Sequence, residues 1–247
     1  MALIDFKFQS NALEMNCNVQ IILPNDVKNG EKLKVLYLLH GYIGDYADWM
    51  RFSSIERYSW EYRFAIVMPG GHNSYYTDTS YQMNYYTYLS EELPKFMTNY
   101  FPISSQRNDN FICGLSMGGY GALKIALSNP NKFSKVISLS GVTDIVSVIN
   151  SENMRDRNNK FKAIFGEESI KDTKHDLFYL VNQIIDNKQE MPNIYIVCGT
   201  EDFLYEDNIR FKNHLENLNV KHTFIQSKGD HNWEFWDDYI KKVLAWL

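Results

Sequence analysis

Apolar residues follow two different periods along this chain. Short, almost continuous apolar runs occupy residues 35–39, 64–68, 111–113, 135–140 and 194–198. That is the signature of strands buried on both faces. Residues 18–23 alternate before turning apolar, and residues 220–225 alternate more regularly. The clusters Pro24-Asn25-Asp26 and Lys28-Asn29-Gly30 bracket a turn, so this region is expected to hold an early antiparallel strand and its hairpin partner. Between the runs the period lengthens. Leu89, Leu93, Phe96 and Met97 share one face of a helix over 86–99. Ile209, Phe211, Leu215 and Leu218 do so over 208–218, and Trp236, Ile240, Val243, Leu244 and Leu247 over 231–247. Residues 120–128 are also helix-compatible. Strands alternating with helices predict an α/β fold with a mainly parallel central sheet and helices on both faces. Residues 143–191 are the least readable. They are polar and charged around 152–162 and then partly helical. An ordinary long crossover is the favoured reading, with a small cap as the alternative.

Bulk properties narrow the classes. A chain of 247 residues with 45% hydrophobic content suits one domain over 1–247 with a sizeable core. A net charge of −5 argues against a nucleic-acid partner. No stretch of 18 apolar residues would span a membrane. The first residues carry Asp5 and no apolar signal region, so no signal peptide is expected. Cys17, Cys113 and Cys198 are odd in number, and two lie in apolar strand runs. They read as buried hydrophobes, and a reducing cytoplasm follows. Metal-binding spacings are absent, so neither a metal nor another cofactor is expected.

The chemistry begins at Gly114-Leu115-Ser116-Met117-Gly118. This G-x-S-x-G stretch ends a strand and opens a helix, the context of a nucleophile elbow. Small residues must flank a serine on so tight a turn. Ser116 is the candidate nucleophile, and it needs a base, which in turn needs an orienting acid. In the α/β-hydrolase arrangement these follow in the order serine, acid, histidine. Asp202 sits in the loop after the 194–198 strand and is the candidate acid. Glu201 and Asp144 are its rivals. His231 occupies the loop between the last strand and the last helix and is the candidate base. Of the other histidines, His40, His72 and His175 precede the acid, His214 lies in a helix and His222 in a strand. The oxyanion donors are expected to be the backbone N–H groups of Met117 and Tyr42, with Gly41 behind the latter and His40 bracing the loop. Trp49, Tyr75, Tyr76, Phe203, Trp233 and Phe235 lie in or near these loops and are candidates for lining a small acyl pocket, although packing explains any one of them equally well.

These residues resemble the esterase D group of α/β-hydrolases over nearly the whole chain. The resemblance rests on 39–42 with Asp48-Trp49, on 74–78, on 91–94, on 114–121, on 199–204 and on 229–233. The wording of 199–204 is most similar to intracellular bacterial tributyrin-type esterases. The resemblance implies an α/β-hydrolase fold and a Ser116–His231–Asp202 triad. It also implies hydrolysis of short-chain acyl, aryl or acetylated-sugar esters. The chain departs from the secreted mycolyltransferases of the group in lacking their export signal and basic character. A thioesterase resembling S-formylglutathione hydrolase is the rival enzyme reading. A hydrolase-fold binding protein is the rival outside enzymes, disfavoured because all three triad positions are filled. The aromatic content is compatible with a homo-oligomer.

Overall fold

The computed structural model describes residues 1–151 and 156–247. Its strands are β1 (Ala2–Ser10), β2 (Met15–Leu23), β3 (Lys34–Leu39), β4 (Phe64–Pro69), β5 (Asn110–Leu115), β6 (Lys135–Leu139), β7 (Asn193–Gly199) and β8 (His222–Ser227). They form one sheet in the order β1-β2-β4-β3-β5-β6-β7-β8. The pairings from β4 through to β8 are parallel, while β1 with β2 and β2 with β4 are antiparallel. The helices are α1 (Asp48–Phe52), α2 (Ile55–Ser59) and α3 (Tyr85–Thr87). The last continues through a π-turn (Tyr88–Glu92) into α4 (Leu93–Tyr100). Then come α5 (Met117–Ser128), α6 (Ile145–Asn150), α7 (Asn158–Phe165), α8 (Leu177–Asp186), α9 (Tyr205–Asn217) and α10 (Trp233–Trp246).

The apolar runs become interior strands because each feeds both faces. In β3, Val35, Tyr37 and Leu39 enter one core and Leu36 and Leu38 the other. In β5, Ile112 faces the first, and Phe111, Cys113 and Leu115 the second. Helices α4, α5, α8 and α9 cover the first core. The second is closed by α10, Ile55 of α2 and Trp49 of α1. The α/β architecture with helices on both faces is therefore as expected.

One expectation needs correction. The hairpin partner of β2 does not lie across the 24–30 turn. It is β1, whose Phe6 and Phe8 alternate with Asp5, Lys7 and Gln9, joined through a turn at 11–14. Beyond the turn, β3 is apolar on both faces and must lie inside the sheet, so β4 intervenes between it and β2. The polar stretch at 152–162 falls partly on residues 152–155, which lie outside the described residues. Its remainder enters α7. Among the described residues, no helix is long and apolar enough to cross a membrane. None of their His, Cys, Asp and Glu side chains gather into a group that could hold a metal.

The parallel topology brings the carboxyl ends of β3, β5, β7 and β8 to one edge of the sheet. The loop after β3 is fastened there by His40. Its Nδ1–H donates to Gly41 O at 2.7 Å, and its Nε2 accepts from Gly71 N–H at 2.8 Å. Both ring nitrogens are thus used by a neutral imidazole, and burial lowers its pKa to about 4. The sign of the linkage follows. Between pH 6.5 and 4 the unfolded chain binds a proton at His40 and the folded chain does not, so stability falls as the pH falls. Urea unfolding should show His40 contributing a loss of about 3 kcal/mol between pH 7 and pH 4. His175, lowered to about 3 by burial and by Lys124, acts in the same direction. His40→Gln should flatten the dependence by His40's share, and an unchanged slope would contradict this account.

Candidate active site

The turn at Ser116 is forced by close approach. A Cβ on Gly114 would lie 2.2 Å from Gly118 O, and one on Gly118 would lie 2.5 Å from His40 O. Neither neighbour is a movable side-chain tip. With both positions reduced to glycine, β5 can turn directly into α5. Ser116 is left at φ 53° and ψ −118°, a backbone conformation that costs an L-residue about 1–3 kcal/mol. The cost is borne because the surroundings over-determine it. Ser116 N–H donates to Leu139 O at 2.9 Å, and Ser116 O accepts from Tyr120 N–H and Val142 N–H, both at 3.2 Å.

Two further loops deliver the partners. His231 Nε2 lies 2.9 Å from Ser116 Oγ, and His231 Nδ1 lies 2.8 Å from Asp202 Oδ2. The other oxygen, Asp202 Oδ1, accepts from Leu204 N–H at 2.9 Å. Asp202 is buried, and each of its oxygens has a donor. This fixes the tautomer: Nδ1 carries the proton and donates to the carboxylate, leaving Nε2 to accept from the serine hydroxyl. Such a line can withdraw the hydroxyl proton as Ser116 attacks a carbonyl carbon. The rivals stand elsewhere. Glu201 is exposed and pairs with Lys228 at 3.9 Å. Asp144 caps α6 through Ser147 N–H at 2.9 Å and pairs with Arg210 at 3.0 Å. His222 bonds Val220 O, and His72 bonds Tyr85 Oη.

Met117 opens α5 directly behind the serine. A Cβ on Gly41 would come 3.5 Å from Ser116 Cβ, so the loop carrying Tyr42 passes beside the hydroxyl. Tyr42 is half-buried, its ring 6.0 Å from that of Tyr75 and beneath the Arg157 guanidinium at 4.6 Å. Ile43 N–H donates to Asn73 Oδ1 at 2.7 Å, tying the same loop to the segment after β4.

The aromatic candidates divide. Phe203 is 65% exposed with its ring 4.6 Å from the His231 imidazole, so it borders the site. Tyr75 is buried, but it joins Tyr42 to Phe161 and Phe165 of α7. Burial pushes its phenol to about 12. Trp233 packs between Trp49 and Phe52, and Phe235 stacks on Tyr239 in the second core. Trp49 and Tyr76 do not line a pocket. They are 1% and 0% exposed, and each uses its one polar atom to hold the β3 loop from below. Trp49 Nε1–H donates to Leu39 O at 3.1 Å, and Tyr76 Oη–H donates to His40 O at 2.7 Å.

Sequence reasoning missed Trp236, whose ring meets His231 edge-on at 4.9 Å. Its helical spacing marked it only as core. It also missed Lys124, buried at the far end of α5. A charged residue inside an otherwise apolar helix was the available signal.

Comparison with known proteins identifies the family. A family model described as "Putative esterase" matches residues 10–247. An acetyl esterase of Caldicellulosiruptor saccharolyticus is 34% identical over 261 residues, spanning 100% of this chain and 98% of that protein. Among solved structures, the Staphylococcus aureus fluorophosphonate-binding serine hydrolase FphF superposes with a TM-score of 0.92 at 37% identity, covering 99% of this chain and 97% of its own. The S-formylglutathione hydrolase FrmB of the same organism gives 0.90 at 37%, covering 99% and 98%. With this fold, and with relatives matched along their full length, the chain belongs to the esterase family and is a serine ester hydrolase of the α/β-hydrolase type.

Proposed function

We propose that the chain is a carboxylesterase for short-chain acyl esters, acting through Ser116, His231 and Asp202. The observation that carries this reading is the unbroken hydrogen-bonded line from Asp202 through His231 to Ser116 Oγ. Ser116 attacks the ester carbonyl as His231 Nε2 takes its proton. Asp202 holds the ring and stabilises the imidazolium. The N–H groups of Met117 and Tyr42 receive the oxyanion, assisted by the positive end of α5. His231 returns its proton to the departing alcohol, and water then deacylates the enzyme through the same base. Phe203 beside His231 and the loop carrying Tyr42 beside Ser116 narrow the approach to the hydroxyl, which supports a small acyl group. The acetyl esterase likeness points the same way, and tributyrin, aryl acetates and acetylated sugars are the esters to try. Residues 143–191 serve in this reading as a crossover insertion whose α7 backs Tyr75. The three free, buried cysteines support a cytoplasmic setting.

A p-nitrophenyl ester series from acetate to decanoate, run beside Ser116→Ala, tests this. Rates should peak at two to four acyl carbons and fall at least about 10⁴-fold in the variant. A decanoate optimum would refute the short acyl pocket, and undiminished activity in Ser116→Ala would refute the nucleophile. The 37% identity to FrmB favours a second reading, a thioesterase using the same residues. If S-formylglutathione is turned over with a kcat/KM tenfold above the best ester, that reading replaces the first.

The Tyr76–His40 bond gives a further prediction. Tyr76→Phe removes one hydrogen bond from beneath the oxyanion loop and nothing that touches substrate. About a tenfold loss in kcat with KM little changed is expected, equivalent to roughly 1.4 kcal/mol. Equal kcat in the two proteins would remove Tyr76 from the positioning scheme.

A further inference from the structure

One cavity holds none of the residues assigned to the reaction. It encloses about 560 Å³ between the 85–100 helix, the C-terminal half of α5, and α8 with the residues before it. Lys124 reaches it from α5, eight residues and about 12 Å along the helix from Ser116. This lysine is 1% exposed, and lysines so buried are rare unless paired. Its Nζ meets neutral partners: Thr77 Oγ1, His175 Nδ1 at 3.2 Å, and the more distant Tyr76 carbonyl at 3.5 Å. The Tyr86 and Tyr120 rings lie 5.5 and 5.6 Å away. Among the described residues no carboxylate forms an ion pair with it. Burial first, and Lys174 second, lower its pKa to about 7 against the opposing influence of Asp78.

The acids of the cavity are engaged elsewhere. Asp78 accepts from Thr87 N–H at 2.9 Å and Thr87 Oγ1–H at 2.8 Å. Glu91 pairs with Lys132. Exposed Lys174 adds a second cation, and buried Leu127, Leu180 and Ile184 supply an apolar wall.

We propose that this cavity binds a small monocarboxylate with an apolar tail, its carboxylate facing Lys124 and Lys174 and its tail against Leu127, Leu180 and Ile184. The carboxylate supplies the counter-charge that Lys124 lacks, taking the N–H now directed at the distant Tyr76 carbonyl in a charge-assisted hydrogen bond. The tail itself leaves water on meeting the apolar wall. The volume is that of an ordinary small-molecule site. Inorganic phosphate would meet the lysines but bring no apolar group to the wall, and an alkylamine would set like charge against Lys124.

Titration calorimetry with octanoate, octylamine and inorganic phosphate tests the assignment on the intact chain. Octanoate should bind and the other two should not. Lys124→Met should weaken octanoate at least about 30-fold, and Lys174→Ala, at an exposed position, about threefold. A bound carboxylate holds the proton on Lys124, so binding at pH 8 should take up protons. The heat should then vary with buffer ionisation enthalpy in the parent and not in Lys124→Met. The other titratable groups facing the cavity are Lys174, His175, Asp78, Glu91, Tyr86 and Tyr179, with Tyr120 beside Lys124 itself, and this comparison assigns the proton to Lys124 rather than to them. Should Lys124→Met fail to fold, Leu180→Trp fills the apolar wall and must weaken binding by as much. No octanoate binding at millimolar concentration overturns the proposal. So does binding undiminished in either variant, which would place the acid elsewhere, the Ser116 site included.

Discussion

The carbonyl of His40 is the point against which the site is built. Gly118 presses on it so closely that any side chain there would collide, and Tyr76 donates a hydrogen bond to it from below. Its own side chain clamps Gly41 O and Gly71 N–H. One residue thus sets the distance between the end of β3 and the start of α5. In the proposed mechanism that distance decides whether Tyr42 N–H and Met117 N–H can converge on one oxygen atom. Loosening of this spacing by an ångström would separate the proposed oxyanion donors from the serine without touching either.

Buried polarity is what makes the clamp rigid, and it is not free. A neutral imidazole with both nitrogens bonded fixes the loop in a way an apolar residue of equal size could not. The same low-dielectric setting makes its protonation costly. Lys124 is the complementary case, because its hydrogen bonds are met but its charge is not. Through Thr77 and the Tyr76 carbonyl it fastens a turn in which Tyr75 and Tyr76 both hold φ 51°. The ring of Tyr76 then reaches back to His40.

The sequence made the edge that carries the candidate site readable because two strong local signals coincide there. Continuous apolar runs mark the interior strands, and small or polar residues at their ends mark the loops. The order of Ser116, Asp202 and His231 along the chain then left few alternatives. β1 escaped notice although Phe6 and Phe8 alternate with charged and polar neighbours, because its flanks carry no strong turn signal before Asn11. The hairpin expectation failed for a different reason: local turn chemistry at 24–30 says that the chain reverses, not which strand it pairs with. Trp49 and Tyr76 show the limit most plainly. Their place near the loops was legible, but whether an aromatic ring faces a cleft or supports it depends on burial, which is a property of the assembled sheet.

Helix α5 joins the two halves of the molecule's chemistry. Its N-terminus stands behind Ser116, and its second half carries Lys124 into a cavity that shares no residue with the triad. The two ends communicate through side chains as well as along the helix axis. Gly121 lies against the Tyr76 ring so tightly that a Cβ would come within 2.2 Å of it. Lys124, one turn further on, holds the backbone and the neighbour of that same tyrosine. Any change in the company Lys124 keeps therefore acts on Tyr76, and Tyr76 is the support of the His40 carbonyl. A group that alters the charge or hydrogen bonds of Lys124 would be two contacts from the oxyanion loop. It would need no domain motion to be felt there, because a packed core transmits small displacements without absorbing them.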